Sequence, residues 1–545
     1  MASFDKRPVT NVIVIGAGFS GLAMACQLQR KLNCDDYTIY DRSSAPGGAW
    51  WANKYPGCAV DIPAVFYSLS FAPNPNFSKI FPSQAEILNY FNDVAENFDV
   101  TRHIIPNTEW EGAYWQELTS TWLVKLRNLS NGQLYYQECK ILISAVGGLV
   151  NPNKFDVPGM DDFQGDIIHT ARWKTDVWLH GKDVIVVGNG CSAAQLVPAI
   201  ADEAKSISQF IRTPQHYLQN DNLQINDKWR FILRHVPGVL LLFRILVFLF
   251  LESTAIRFKV TGSGLRARNQ SAERSRAYIK KNAPEEYWPL LMPKYEIGCK
   301  RRVFDSCKYV SCLQRSNVHL TDDPITALRP RSILTKSGRE YPADTIVLAT
   351  GFSLTQYDVE LIGRHGRSRA QHWDDFGYKE AYKSIAMSEF PNFFYVLGPN
   401  SGKGHTSTIY SIENYVDLII QVIAPVIRDQ STFVEVKADS EKKYNEILHE
   451  VIGKTIFNNS CFSYFIDQKT QKNWFIYPWS SFDMWYDTHL GLSNEWIYDI
   501  RTQKKKPVLS STILPMILAL PIALFVLKVV LSGDNEFTKS FRRRF

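Results

Sequence analysis

Two short glycine-rich runs, Gly16-Ala17-Gly18-Phe19-Ser20-Gly21 and Gly188-Asn189-Gly190-Cys191-Ser192-Ala193, stand about 170 residues apart. Glycines at this spacing let a backbone approach a pyrophosphate, whose charge the N-terminus of the next helix then holds. Each run follows an apolar stretch, Val12 to Ile15 and Val184 to Val187, and the first opens on Leu22-Ala23-Met24-Ala25. That is the strand, turn and helix context of a dinucleotide fingerprint; the alternative is a tight turn in an α/β sheet. Asp41 ends the next apolar strand, Tyr37 to Tyr40, where a carboxylate takes the ribose hydroxyls of an adenosine. After the second run the corresponding place holds Arg212 with Thr213. A cation there suits an additional 2′-phosphate that an aspartate would repel, and an ordinary surface charge is the alternative. Gly16, Gly18, Gly21 and Asp41 therefore mark one dinucleotide site, and Gly188, Gly190, Ser192, Arg212 and Thr213 a second.

Positioning two such sites takes two Rossmann-like α/β domains, each expected as a parallel sheet covered by helices. The chain has room for them, with 545 residues of which 45% are apolar and 21% charged, a composition typical of folded domains. Asn151-Pro152 and Pro158-Gly159 mark a domain boundary. Net charge is +7, an excess that favours anionic cofactors and lipid head groups. No basic stripe interleaved with aromatics points to nucleic acid. Nine cysteines without a CxxC pair predict reduced thiols and no metal.

Met1 to Thr10 lacks the apolar stretch of a signal peptide. The run Ile513 to Leu531, by contrast, is nearly unbroken apolar sequence, long enough to cross a bilayer as a helix. Pro515, Pro521 and Lys528 interrupt it, and Lys504-Lys505-Lys506 and Arg542-Arg543-Arg544 flank it on both sides, so charge does not fix its orientation. The expectation is a basic linker over 501–511, a transmembrane helix over 512–531 and a basic tail over 532–545, with the catalytic body in the cytosol, on the endoplasmic reticulum or a similar membrane. An amphipathic helix packed on the protein is the alternative. A second apolar stretch, Val239 to Leu251, is broken by Arg244 and too short to span. It reads as a core helix, with contact to the same membrane as the alternative.

Longer signatures fall around and between the two turns. Phe163, Gly165, His169 and Trp173 form an F-x-G-x-x-x-H-x-x-x-W linker, and Gly47-Gly48-Ala49-Trp50 is followed by Tyr55-Pro56-Gly57 and Asp61. On these residues the chain resembles the type I Baeyer-Villiger monooxygenases, closest to the fungal members of secondary metabolism, from about Asn11 to Trp496. Lys174 departs from the linker pattern, where Pro or Asp is usual. The resemblance implies FAD at the first turn and NADPH at the second, with Gly48, Trp50, Tyr55, Asp61 and Tyr67 on the flavin side.

It further implies a discontinuous FAD domain over 1–150 and 341–500, in which Thr345 to Leu348 with Ala349-Thr350-Gly351-Phe352 is the returning strand. An NADP domain occupies 151–340, with a helical insertion at about 215–293. The activity implied is insertion of one oxygen atom of dioxygen beside a ketone carbonyl. That chemistry needs an anionic, nucleophilic oxygen kept from protonation, hence a fixed positive group. By the resemblance that group is Arg301, oriented by Asp61, with Lys300 on the NADP phosphate. Arg302 replaces a common proline, leaving an ambiguity of one position, and a solvated basic face is the alternative. His169 and Trp173 carry a conformational role between the domains. Two other activities stay open: hydroxylation or nitrogen and sulfur oxidation on the same scaffold, and a membrane-tethered flavoprotein that no longer oxygenates.

Overall fold

The structure, a computed structural model, describes residues 5–500 apart from 175, 354–355, 459–462, 468 and 492–493. The linker, transmembrane helix and basic tail expected over 501–511, 512–531 and 532–545 lie outside the described residues.

The first sheet has the strand order 360–362, 108–116, 121–128, 134–144, 5–15, 37–40, 104–105, with 393–395 added against the end of 134–144. Strand Asp5–Ile15 runs parallel to both Tyr37–Tyr40 and Leu134–Ser144. Val12, Ile13 and Val14 are wholly buried, as a strand covered on both faces requires. The helix Phe19–Leu32 leaves the first glycine turn and stops at Asn33, whose φ of 51° is left-handed, a conformation asparagine tolerates better than most residues. The fully parallel expectation fails on one side of this sheet. Strands 108–116, 121–128 and 134–144 form an antiparallel meander, because short turns join them and leave no room for a crossover helix.

The second sheet is parallel throughout, in the order 318–321, 206–210, 183–187, 345–348, 166–169. Here the expected boundary at 341 is corrected. Thr345–Leu348 does not return to the first sheet; it inserts between Asp183–Val187 and Asp166–His169. Its four residues are all buried, and an apolar strand satisfied on both faces by the second sheet has no reason to leave it. The second unit therefore extends to about Phe352.

The chain crosses between the units twice, and the two crossings lie side by side. Pro152 bridges Phe352, and the Asn153 amide donates to the Gly351 carbonyl at 3.1 Å. Within the second unit, strands Tyr217–Gln219 and Val303–Asp305 pair in parallel and enclose helices Asp227–His235, Val239–Ser253 and Gly262–Asn282, the helical insertion expected there.

Among the described residues, two helices are long and apolar enough to cross a membrane. Thr408–Ile427 is a core helix, 67% of its apolar window being buried, whereas Val239–Phe258 has only 17% buried. The core-helix reading of Val239 to Leu251 is thus corrected, since this helix lies on the outside with Leu241 and Leu249 exposed. The cysteine reading is corrected at one position: Cys299 is disulfide-bonded, because pairing depends on proximity in the fold and not on spacing along the chain. Seven other described cysteines are free.

Candidate active site

Gly16 and Gly188 are built alike. Their φ values are +110° and +116°, and a Cβ would stand 2.6 Å from the Ala145 carbonyl oxygen in the first and 2.4 Å from that of Ala349 in the second. Only glycine fits either turn. Around the first, both Asp41 carboxylate oxygens accept backbone N–H bonds at 2.7 Å, one from Ala17 in the glycine turn and one from Ser43. Gly48 packs on Gly18, so closely that a Cβ on Gly48 would meet the Gly18 Cα at 2.8 Å. The turn Gly47-Gly48 thereby adds a second stretch of close-approaching backbone to the first. Gly21 and Gly190 begin or lead into the helices Phe19–Leu32 and Cys191–Ile200, with Ser192 in the first turn of the latter. Backbone cradles filled by any Cβ, each ending on a helix N-terminus, fit two dinucleotides.

At the second cradle the cations converge. Burial, and then the nearby Arg212 charge, holds the Lys300 ammonium below its usual pKa. Lys300 also lies over the Tyr295 ring, 4.1 Å from its centroid. The Thr213 carbonyl accepts from the Asn189 side chain at 2.8 Å, which ties this corner to the glycine turn. Arg212, just past the strand Ser206–Phe210, and Lys300 thus bring two positive charges to this corner, which suits an anionic group. Replacing Arg212 by alanine is expected to raise KM for NADPH roughly tenfold or more, the worth of one charge-assisted hydrogen bond. KM for NADH should stay where it is, and steady-state kinetics with both coenzymes checks this.

Between the cradles stand Asp61 and Arg301, whose Oδ2 and Nη2 are 2.8 Å apart. Burial pushes the Asp61 carboxyl up, but the Arg301 guanidinium by charge and hydrogen bond, helped by Arg302, outweighs it and holds the group below the usual carboxylate range. Both side chains keep an open face, being 30% and 46% exposed, so the pair is not sealed in a core. Trp50 donates from its indole nitrogen to the Tyr67 hydroxyl at 3.1 Å. Burial first, then Asp61, pushes the Tyr67 phenol up, while Arg301 pulls the other way. The thiol of Cys191, at the start of the second cradle's helix, is likewise raised by burial and lowered by Arg301. One arginine therefore senses both nucleotide cradles. The one-position ambiguity also has a geometry: Arg302 turns away, donating to the Gly404 carbonyl at 2.8 Å and lying over Phe304.

Tyr55 and Gly57 dock the first unit onto the second. The Tyr55 hydroxyl donates to the Gln195 side-chain oxygen at 2.8 Å, and the Gln195 amide donates to the Ala59 carbonyl at 2.9 Å. Sequence reasoning missed Gln195; its signal was a lone amide among the apolar residues that follow Ser192 on the helix Cys191–Ile200. Also missed was a buried group behind Arg302, in which Glu252 accepts from His405 at 2.9 Å. Burial pushes Glu252 up, but His405 and Ser481 outweigh it and bring it to about 2. Lys403 donates to the Trp479 carbonyl at 2.8 Å and is pushed down to about 8 by burial.

The linker signature sits at the paired crossings. His169 Nδ1 accepts the Ala171 amide at 3.1 Å, which leaves Nε2 to donate to the Gly351 carbonyl at 3.1 Å. Burial holds its pKa below the usual value, so it is neutral at physiological pH. Arg172, three residues on, donates to the Val150 carbonyl at 3.0 Å on the other crossing. Phe163 packs on the core beneath 345–348, and Gly165 lies where a Cβ would meet the Asp344 carbonyl at 2.3 Å. Trp173 packs against the core of the second unit, and Lys174 is exposed. Both ring nitrogens of His169 are thus engaged by backbone groups, which gives the residue a structural anchorage. His169→Ala is expected to leave flavin content normal while lowering product formed per NADPH consumed, measured by comparing coenzyme oxidation with product yield.

Residues 14–82 match the family model described as NAD(P)-binding Rossmann-like domain. The chain is similar to a Baeyer-Villiger monooxygenase of Pseudomonas aeruginosa, at 31% identity over 86% of this chain and 87% of the relative. It is similar also to the FAD-binding monooxygenase ktnD of Aspergillus niger, at 33% over 86% and 78%. Among solved structures, cyclohexanone monooxygenase from Rhodococcus sp. Phi1 bound to NADP+ superposes with a TM-score of 0.78, covering 90% of this chain and 99% of that one. At 24% identity that likeness speaks for the fold alone. Oxidized steroid monooxygenase bound to NADP gives a TM-score of 0.77 at 25% identity, covering 90% and 100%.

Proposed function

The chain belongs to the family of Baeyer-Villiger and FAD-binding monooxygenases, and from that premise we propose that it inserts one oxygen atom beside the carbonyl of a lipophilic ketone, giving an ester or lactone. It is an NADPH-dependent flavin monooxygenase. FAD and NADPH supply hydride transfer and dioxygen activation, and the protein supplies position, shielding and charge. Gly16, Gly18, Gly21, Gly48 and Asp41 would hold FAD, with Trp50 and Tyr67 on the same side. Gly188, Gly190, Ser192, Arg212, Thr213 and Lys300 would hold NADPH.

The observation that carries the reading is the Asp61–Arg301 pair, open to solvent and lying between the two cradles. Attack on a carbonyl needs an anionic oxygen, and a preorganised guanidinium stabilises such charge at no reorganisation cost when the charge develops. Asp61 keeps that guanidinium aimed and stays ionised in doing so. Tyr55, Gly57 and Gln195 fix the distance between the cradles, so that the hydride donor meets its acceptor.

The test is turnover with NADPH under oxygen-18 gas, offering a panel of ketones and a thioether. One labelled atom in an ester supports the proposal. Labelled sulfoxide without ester would favour heteroatom oxidation, the chemistry that Lys174 in the linker leaves open. Bound FAD without labelled product or NADPH consumption would mark a flavoprotein that does not oxygenate.

The run 513–531 supports a single membrane-spanning tail with the catalytic body on the cytosolic side, where NADPH is supplied. Its residence, on the endoplasmic reticulum or a similar membrane, is part of the same proposal. Alkaline extraction of membranes, with protease protection of an epitope after Phe545, tests it. Release into the supernatant would overturn it.

A further inference from the structure

We infer that the helical insertion of the second unit is a bilayer-docking face, through which the catalytic body itself lies on an anionic membrane surface, independently of the tail.

The first ground is an apolar face that no described residue covers. Phe231 is 62% exposed, Leu241 51%, Leu249 47%, Ile256 42%, Val260 56% and Leu265 47%. Leu241 and Leu249 are eight residues apart, with Ile245 between them at a helical spacing of four, so they lie in one stripe. Exposed apolar side chains grouped on one insertion in this way point to an interaction site. The patch continues onto the helix Ser481–His489, since Phe482 meets Phe248 with ring centroids 5.0 Å apart, and Trp485 and Tyr486 beside it are also exposed. Amphipathic rings of this kind favour the boundary between lipid and water.

The second ground is how the helix is held. Its two charged interior residues point inward. Arg244 donates from one nitrogen to the Val65 carbonyl at 2.6 Å and to the Ser68 hydroxyl at 2.8 Å. Glu252 accepts from His405 at 2.9 Å and from the Ser481 amide at 3.0 Å. Pinned at both of these points, Val239–Ser253 cannot leave the body to cross a bilayer, and its outer stripe is presented in one fixed orientation.

The third ground is charge, which selects lipid as the occupant. Residues 227–282 carry twelve Lys and Arg against three Asp and Glu, while the rest of the chain carries 49 against 51. The net positive charge of the protein is thus concentrated in the insertion that bears the apolar stripe. Lys228, Lys259, Arg266 and Arg274 are exposed around that stripe. An apolar face rimmed by cations is the pattern of an interfacial helix on anionic lipid, each cation near the surface strengthening binding roughly fivefold. The face also backs directly on the site, because His405 follows Gly404, whose carbonyl Arg302 holds.

The test uses the full chain with a fluorescent label on Leu249→Cys or, as a control, on Leu118→Cys at an exposed turn of the first sheet. Vesicles of phosphatidylcholine with and without phosphatidylserine are the probe. With phosphatidylserine, the Leu249 label should be quenched by brominated acyl chains and shielded from aqueous iodide, and the Leu118 label should behave in the opposite way. In a second arm, Leu241→Glu with Leu249→Glu should weaken phosphatidylserine-dependent binding by at least about tenfold, with flavin content unchanged as the check on folding. A Leu249 label open to iodide on protein bound to vesicles would overturn the inference. So would protection without vesicles: doubled mass would place a second copy there, and monomeric mass the end of this chain.

Discussion

Arg301→Ala is expected to retain FAD and to cut formation of oxygenated product by about 10²–10³-fold, the usual loss when one preorganised group is removed from developing negative charge. NADPH oxidation should continue, so the decisive measurement is product per coenzyme consumed. The substitution also removes the partner that keeps Asp61 ionised. With Arg301 gone, burial pushes the Asp61 carboxyl upward against only the charge of Arg302 and a backbone hydrogen bond, and proton uptake there should appear at higher pH than in the parent protein. Arg301→Lys keeps a charge but not the planar fork that meets the carboxylate, so it should fall between the two. Equal product per coenzyme in the parent and the alanine variant would remove Arg301 from the reaction.

Gly57→Val is expected to lower the rate of flavin reduction by NADPH by about 10²-fold while leaving reduction by dithionite unchanged. Gly57 has φ of +80°, and a Cβ would stand 2.3 Å from the Gln195 carbonyl oxygen and 3.0 Å from the Ala199 Cβ. The valine must therefore push the helix Cys191–Ile200 away. That helix carries the second cradle, and a misplacement of about 1 Å between reacting groups costs on this order. Asp41 and the first glycine turn lie in the first unit, so FAD should stay bound. Stopped-flow reduction with both reductants separates the effects; equal slowing with each would mean general damage.

Much of this was legible in the sequence. Both glycine turns, Asp41 and Arg212 were legible through residue type and spacing, because phosphate cradles admit few alternatives, whereas the Asp61–Arg301 partnership came only with the family resemblance. What stayed hidden depends on neighbours. Thr345–Leu348 reads as a buried strand from its side chains, but four apolar residues do not say which of two sheets receives them. The antiparallel meander was hidden for the same reason, since strand direction is set by connections. Apart from Arg244, Glu252 and Ser253, the helix Val239–Ser253 is apolar all round, a pattern shared by core helices and helices facing lipid, and only its packing separates the two. Gln195 and Arg172 matter through backbone carbonyls of the facing unit, which no periodicity records.

The adjacent crossings at Asn153 and Gly351 give the second unit the character of a cassette. A module that enters and leaves its host at one place can be exchanged, or reshaped internally, without moving the host's own fold. Coenzyme preference and the surface carried by the insertion can thus diverge between relatives while the flavin scaffold is inherited intact.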